Sequence, residues 1–260
     1  MIRKSNDQPE RLIDEKGIRL DGRKADELRP IKIEVGVLWQ ANGSAYMEQG
    51  GNKILAAVYG PREIHPRHLA RPDRAVLRCM YRMVPFSVAE RKSPAPSRRE
   101  TELSMVLTNT LEPSAFLEQY PRTVVDVFVE VLEADGGTRC TAINCASLAL
   151  ADAGIPLRDL TSAVAGGKAD GRIIIDLSDV EDKHGEADVP IAMMLRKKEI
   201  TLFQMDGRLT VDELKEVLEM GKEGMNQIYE LQRDALKKRY TQIRKEVAKD
   251  DIEESGGNSK

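Results

Sequence analysis

Aromatic side chains are scarce. Phe, Trp and Tyr together make up 4% of the 260 residues, and no run interleaves them with basic residues. That excludes a base-stacking platform of the RNA-recognition-motif kind. Cysteine is rarer still: Cys79, Cys140 and Cys145 are odd in number and form no C-x-x-C pair. A disulfide framework and a Cys-based zinc site are excluded on those grounds, and a reducing cytoplasm is the expected compartment. No apolar run approaches the ~20 residues that a membrane helix needs. The opening Met1–Asp7 turns polar at once, without a signal-peptide core, so no membrane partner is expected. An excess of one charge is also missing: 40 Lys and Arg stand against 43 Asp and Glu, for a net −3. A simple basic coat for nucleic acid does not fit that balance.

The charges that are present are unevenly placed. From Arg62 to Arg99 there are ten basic residues and three acids, a local +7 that includes Arg62, Arg67, Arg98 and Arg99 and is joined by His65 and His68. Nine of the ten are arginine, the side chain suited to bidentate phosphate contact. A polyanion track with a salt-dependent grip explains this run, as does a solvated face with scattered ion pairs. Any nucleic acid held here is held mainly through its backbone. A cluster of opposite sign follows: six acids lie between Asp176 and Asp188.

The patterning predicts an α+β chain with strands in two sheets and helices packed against them. Residues 1–16 read as a flexible arm and 250–260 as a disordered tail. Ser44–Glu48, a Gly50-Gly51-Asn52 turn and Lys53–Gly60 read as a hairpin, and Ala187–Met194 with Glu199–Met205 repeat the plan. Each hairpin is followed by a helix opened by a capping box, Ser97-Arg98-Arg99-Glu100 in the first half and Thr210-Val211-Asp212-Glu213 in the second. Between them Thr123–Leu132 reads as a long strand, Cys140–Asp152 as a helix of small residues, and Ile173–Leu177 as a short buried strand. The divisions expected are 17–152 and 153–249, two halves built on one plan.

Two local patterns can carry chemistry. Asp135-Gly136-Gly137-Thr138-Arg139 joins the long strand to the small-residue helix. Glycines allow a sharp turn and close backbone approach, and the amides of Gly137, Thr138 and Arg139 fall at a helix N-terminus, where unsatisfied donors and the dipole favour an anion. An ordinary glycine turn explains the same residues. Asp182 and Asp188 are six apart, so an extended segment puts both on one face, unless Gly185 bends the chain. Two facing carboxylates push their pKa values apart, leaving one as a general acid, or they hold a divalent cation such as Mg²⁺. A polar loop is the plain alternative.

Taken together, Gly60-Pro61-Arg62-Glu63, Pro72-Asp73-Arg74-Ala75, Pro94–Glu100, Ala149–Pro156 and Gly185-Glu186-Ala187-Asp188 resemble the RNase PH family of phosphorolytic exoribonucleases, most nearly its archaeal exosome branch. The resemblance runs from about residue 17 to 245. It implies two pseudo-symmetric βαβ-type halves, inorganic phosphate as co-substrate, and single-stranded RNA shortened 3′ to 5′. It places phosphate at Gly137, Thr138, Arg139 and Arg99. The acidic pair becomes Asp182 and Asp188, with Arg99 and Arg139 among the catalytic groups. Arg98 and Arg99 contact RNA, while Arg67 and His68 line its path and Arg62 belongs to the same basic run. The family's non-catalytic ring member lacks the acidic pair that this chain has; a purely structural, RNA-holding ring subunit is the alternative. A six-membered ring of three heterodimers with an inactive RNase PH-like paralogue, capped by RNA-binding subunits, is also implied.

Overall fold

A computed structural model describes residues 11–256. In chain order, β1 (Ile31–Val35), β2 (Gly43–Gln49), β3 (Asn52–Glu63) and β4 (Val76–Met83) lead into α1 (Arg98–Leu111). Then come β5 (Thr123–Glu133), α2 (Thr138–Asp152), β6 (Thr161–Ala169), β7 (Arg172–Ile175) and α3 (Asp179–His184). The chain closes with β8 (Ala187–Met194), β9 (Glu199–Phe203), β10 (Asp206–Gly207) and α4 (Val211–Gly256). One five-stranded sheet has the order β1-β2-β3-β5-β4; in the other, β10-β8-β6-β7 are joined by β9 on β8. Among the described residues no helix is long and apolar enough to cross a membrane.

Both expected hairpins form, β2 with β3 and β8 with β9, and both capping boxes are made. In α1, Leu103, Val106, Leu107 and Leu111 fall on one face at helical spacing and are buried against β4. β4 and β5 are parallel, with α1 as the crossover between them, a βαβ unit; β3 and β5 are antiparallel. α2 is buried on every side because it lies between the two sheets. Its small residues permit that close packing: a Cβ on Gly43 of β2 would lie 2.5 Å from the Ala149 carbonyl oxygen. All three cysteines are unpaired and buried.

Three readings of the sequence need correction. Residues 1–10 of the expected arm lie outside the described residues, but 11–16 are held in place. Leu12 and Ile13 are buried, and their amides donate to Asp170 Oδ2 at 2.6 and 2.9 Å. The expected disordered tail is helical from 250 to Gly256, where α4 continues; 257–260 lie outside the described residues. The basic run is not one track. Arg78 and Arg82 point outward from β4, a strand whose other face is core, and Arg78 is committed to buried Asp126 at 2.6 Å.

Candidate active site

The end of β5 sets the site. Gly136 and Gly137 both adopt left-handed backbone, φ +68° and +63°, and Gly137 opens α2. Gly136 is there for want of space: a Cβ would stand 2.4 Å from the Ser178 carbonyl carbon and 2.5 Å from the Asp179 nitrogen. The turn before α2 is therefore pressed against the turn before α3, and the cradle and the acids meet across the two halves. Among the described residues, the amides of Gly137, Thr138 and Arg139 have no acceptor. Thr138 Oγ1 accepts a 2.9 Å hydrogen bond from the Tyr81 hydroxyl, which burial keeps protonated, so the Thr138 proton is free to point at an anion. Arg139 donates through Nη1 to Gln204 Oε1, while its buried Nε has no partner. A buried, unpartnered guanidinium nitrogen beside free helix-start amides is a donor set waiting for an anion.

Asp182 lies on α3 and Asp188 on β8, so the segment between them is not extended. The even-spacing expectation of an extended segment fails, because α3 turns the chain and Gly185 returns it to strand. The two carboxylates sense each other. Burial first, then the Asp182 and Asp206 charges, push Asp188 up to about 6, against Arg139 and Arg99. Asp182 is also raised, chiefly by burial and by Asp179, with Arg99 and Arg139 opposing. Asp206 faces Asp188 directly across the β10–β8 ladder. Arg98 and Arg99 open α1, whose first turn abuts the end of β4 through Glu100, which accepts from the Met83 amide at 2.9 Å. Since Met83 pairs with Val131, α1 starts at the same end of the sheet as Gly136.

Arg99 and Arg139 act electrostatically on both Asp182 and Asp188, and the Gly136 turn packs on the turn that leads into Asp182, so the cradle, Arg99 and the two acids are neighbours; Arg98 and Arg99 are both exposed. Arg62, Arg67 and His68 do not join them. Arg62 pairs with buried Asp126, and Arg67 with Glu63 at 3.1 Å. They sit at the opposite end of β5: Arg62 lies across from Val124, and the nine residues onward to Glu133 span about 30 Å. Tyr81, Gln204, Asp206 and Arg29 are site neighbours that sequence reasoning missed. Alternation in β4 marks Tyr81 as inward-facing, but no local pattern marks Gln204 or Asp206. Among the described residues no three His, Cys, Asp or Glu side chains converge to hold a metal ion.

A cationic, donor-lined helix start facing two carboxylates, one with its pKa near neutrality, is the arrangement expected of a phosphoryl-transfer enzyme. The 3′ exoribonuclease family agrees: its domain 1 matches residues 27–156 and its domain 2 residues 159–224. The chain belongs to this family, RNase PH, and its fold is the RNase PH fold. More particularly, it is similar to the exosome complex component Rrp41 of Pyrococcus abyssi, 60% identical over 237 residues that cover 91% of this chain and 95% of that one. The Methanopyrus kandleri Rrp41 is 58% identical over 234 residues, covering 90% and 98%. Among solved structures, rice Rrp46 superposes with a TM-score of 0.74 at 28% identity, covering 83% of this chain and 98% of that one. The Archaeoglobus fulgidus exosome with RNA bound to the active site gives 0.72 at 23% identity over 83% and 92%, a likeness of fold.

Proposed function

We propose that this chain is the catalytic, phosphorolytic subunit of an exosome ring, degrading single-stranded RNA from the 3′ end with inorganic phosphate as the attacking group. The observation that supports this reading is the free donor set of Gly137, Thr138 and Arg139, with Arg139 in electrostatic range of Asp182 and Asp188. Phosphate binds that set with help from Arg99. One of its oxygens attacks the last phosphodiester phosphorus; the bond to the 3′ oxygen of the preceding nucleotide breaks, and a nucleoside diphosphate leaves. The departing oxygen takes a proton from the carboxylate pair, of which Asp188 holds one more readily. Water is not the nucleophile, so the reaction is a transfer and not a hydrolysis. Asp182 and Asp188 are the residues that would hold a Mg²⁺, which would supply charge neutralisation at the phosphates.

Arg98 and Arg99 grip RNA at the cleft, and Arg62, Arg67 and His68 grip it about 30 Å away, so the second set reads backbone upstream of the reacting end. The ring pairs three copies of this chain with three of an inactive RNase PH-like paralogue, carries RNA-binding caps, and works in the cytoplasm. The exosome names of the similar chains support this assembly. Product identity tests the reading. With single-stranded RNA and phosphate, nucleoside diphosphates are expected; monophosphates, or no shortening at all, overturn it.

A further inference from the structure

Arg29 lies in irregular chain just before β1, far in sequence from the cradle, and its side chain is 4% exposed. Its donors are spread over three acceptors. Nη1 donates to the Asp135 carbonyl, and Nη2 donates to the Gly136 carbonyl at 3.3 Å and to Asp176 Oδ1 at 2.7 Å. Its backbone amide donates to Asp176 Oδ2 at 2.7 Å. Asn52 grips the cradle from the same side, donating to the Gly136 carbonyl at 2.5 Å and accepting from the Asp135 amide at 2.6 Å.

We propose that Arg29 is a positioning residue that sets the aim of the anion cradle and ties it to the acid-bearing turn. The proposal rests on the phosphorolytic reading above. In a trans peptide the C=O and the following N–H point in opposite directions. The Asp135 and Gly136 carbonyls are drawn back onto Arg29, so the Gly136 and Gly137 amides are turned away from it. Partial negative charge is thereby kept off the anion and partial positive charge presented to it. A planar guanidinium fork reaches the three acceptors from two fixed, separate nitrogens, whereas an ammonium offers its three donors from one point.

The same side chain reaches the acids. Asp176 stands on the turn between β7 and α3 in left-handed backbone, φ +55°, with 2% exposure. Burial alone raises its pKa, yet Arg29 holds the carboxyl below its ordinary value, so the two form a buried ion pair. Gln49 adds a 3.0 Å hydrogen bond to Asp176 Oδ1. One step on, Arg19 donates to the Asp176 carbonyl at 2.9 Å and, through Nε, to Glu181 Oε1 at 2.7 Å. Glu181 directly precedes Asp182 on α3 and accepts from the Ser178 amide at 2.8 Å. A path of buried residues therefore runs from the cradle carbonyls through Arg29, Asp176 and Arg19 to Glu181, the residue before the exposed Asp182. A charge partner for Asp176 needs none of the two cradle bonds; their presence distinguishes positioning from packing.

The test uses the assembled enzyme with Arg29→Lys and with the double variant Arg29→Gln/Asp176→Asn, which leaves no uncompensated buried charge. Melting establishes the folded fraction, RNA binding is measured in phosphate-free buffer, and diphosphate release is followed against phosphate concentration. Both variants are expected to bind RNA as the wild type does and to raise KM for phosphate between roughly 10- and 100-fold, the loss typical of a site displaced by about 1 Å. Wild-type KM for phosphate in the folded variants overturns the proposal, as does a fall in kcat that only tracks the folded fraction. A wild-type enzyme that releases no diphosphates overturns the functional reading instead.

Discussion

Replacing Asp188 with asparagine should stabilise the protein at alkaline pH while removing its activity. Its carboxyl is pushed from the ordinary 3.8 up to about 6, first by burial and then by Asp182 and Asp206. A folded-state pKa above the unfolded value means that the native state binds the proton more tightly, so stability falls as pH rises from about 4 through 6. At about 1.4 kcal/mol per pKa unit, the charged form costs the native state roughly 2–3 kcal/mol above pH 7. Asparagine keeps the shape and never carries that charge. Asp188→Asn is therefore expected to raise Tm at pH 8 by roughly 5 °C, at about 2 °C per kcal/mol for a chain of this size. At pH 4 the native carboxyl is neutral and most of the penalty is gone, so the two proteins should melt within about 1 °C of each other. Calorimetry at pH 4 and pH 8, without phosphate or divalent cations, measures the difference. Equal or lower stability of the variant at pH 8, compared with its behaviour at pH 4, would refute the electrostatic account of the pair.

Other outcomes follow from the same geometry. Asp182→Ala should keep RNA binding and lose most turnover, since the arginines remain; near wild-type diphosphate release would remove Asp182 from the chemistry. Arg99→Ala should weaken the use of both phosphate and RNA by roughly 1.5–3 kcal/mol per lost charged contact, and unchanged kinetics at limiting phosphate would count against it. Gly136→Ala combines φ +68° with a Cβ 2.4 Å from the Ser178 carbonyl carbon. It should cost well over ~1 kcal/mol and separate cradle from acids, so a variant with wild-type melting and activity argues against the contact. Tyr81→Phe removes only the hydroxyl that orients Thr138. It should cost about 1 kcal/mol in stability and raise KM for phosphate, which phosphate titration reads directly.

Local patterns were legible wherever one interaction dominates over a short range. The capping boxes at Ser97 and Thr210 are four-residue features, and both form. The Gly50-Gly51 turn and the alternation on either side of it made β2 and β3 readable. β4 was hidden because Arg78 and Arg82 on its outer face read as part of a basic surface run, although Leu77, Cys79 and Tyr81 between them are core. The arm was misread for a related reason: Leu12 and Ile13 are held by Asp170, 157 or more residues away, and no local rule reports such a partner.

The sequence by itself determined the chemistry on offer: a glycine turn at a helix start with a hydroxyl and a guanidinium beside it, a pair of aspartates, and arginines suited to phosphate. It did so because side-chain type and short spacing decide what a group can donate, accept or ionise. Only the tertiary structure decided which of these become neighbours. Gly136 pressed against Ser178 joins cradle to acids, Asp206 and Gln204 arrive from a strand edge, and Arg62, Arg67 and His68 are carried to the far end of β5. Those outcomes depend on how two sheets close over α2, a long-range packing event that no window of the chain encodes alone.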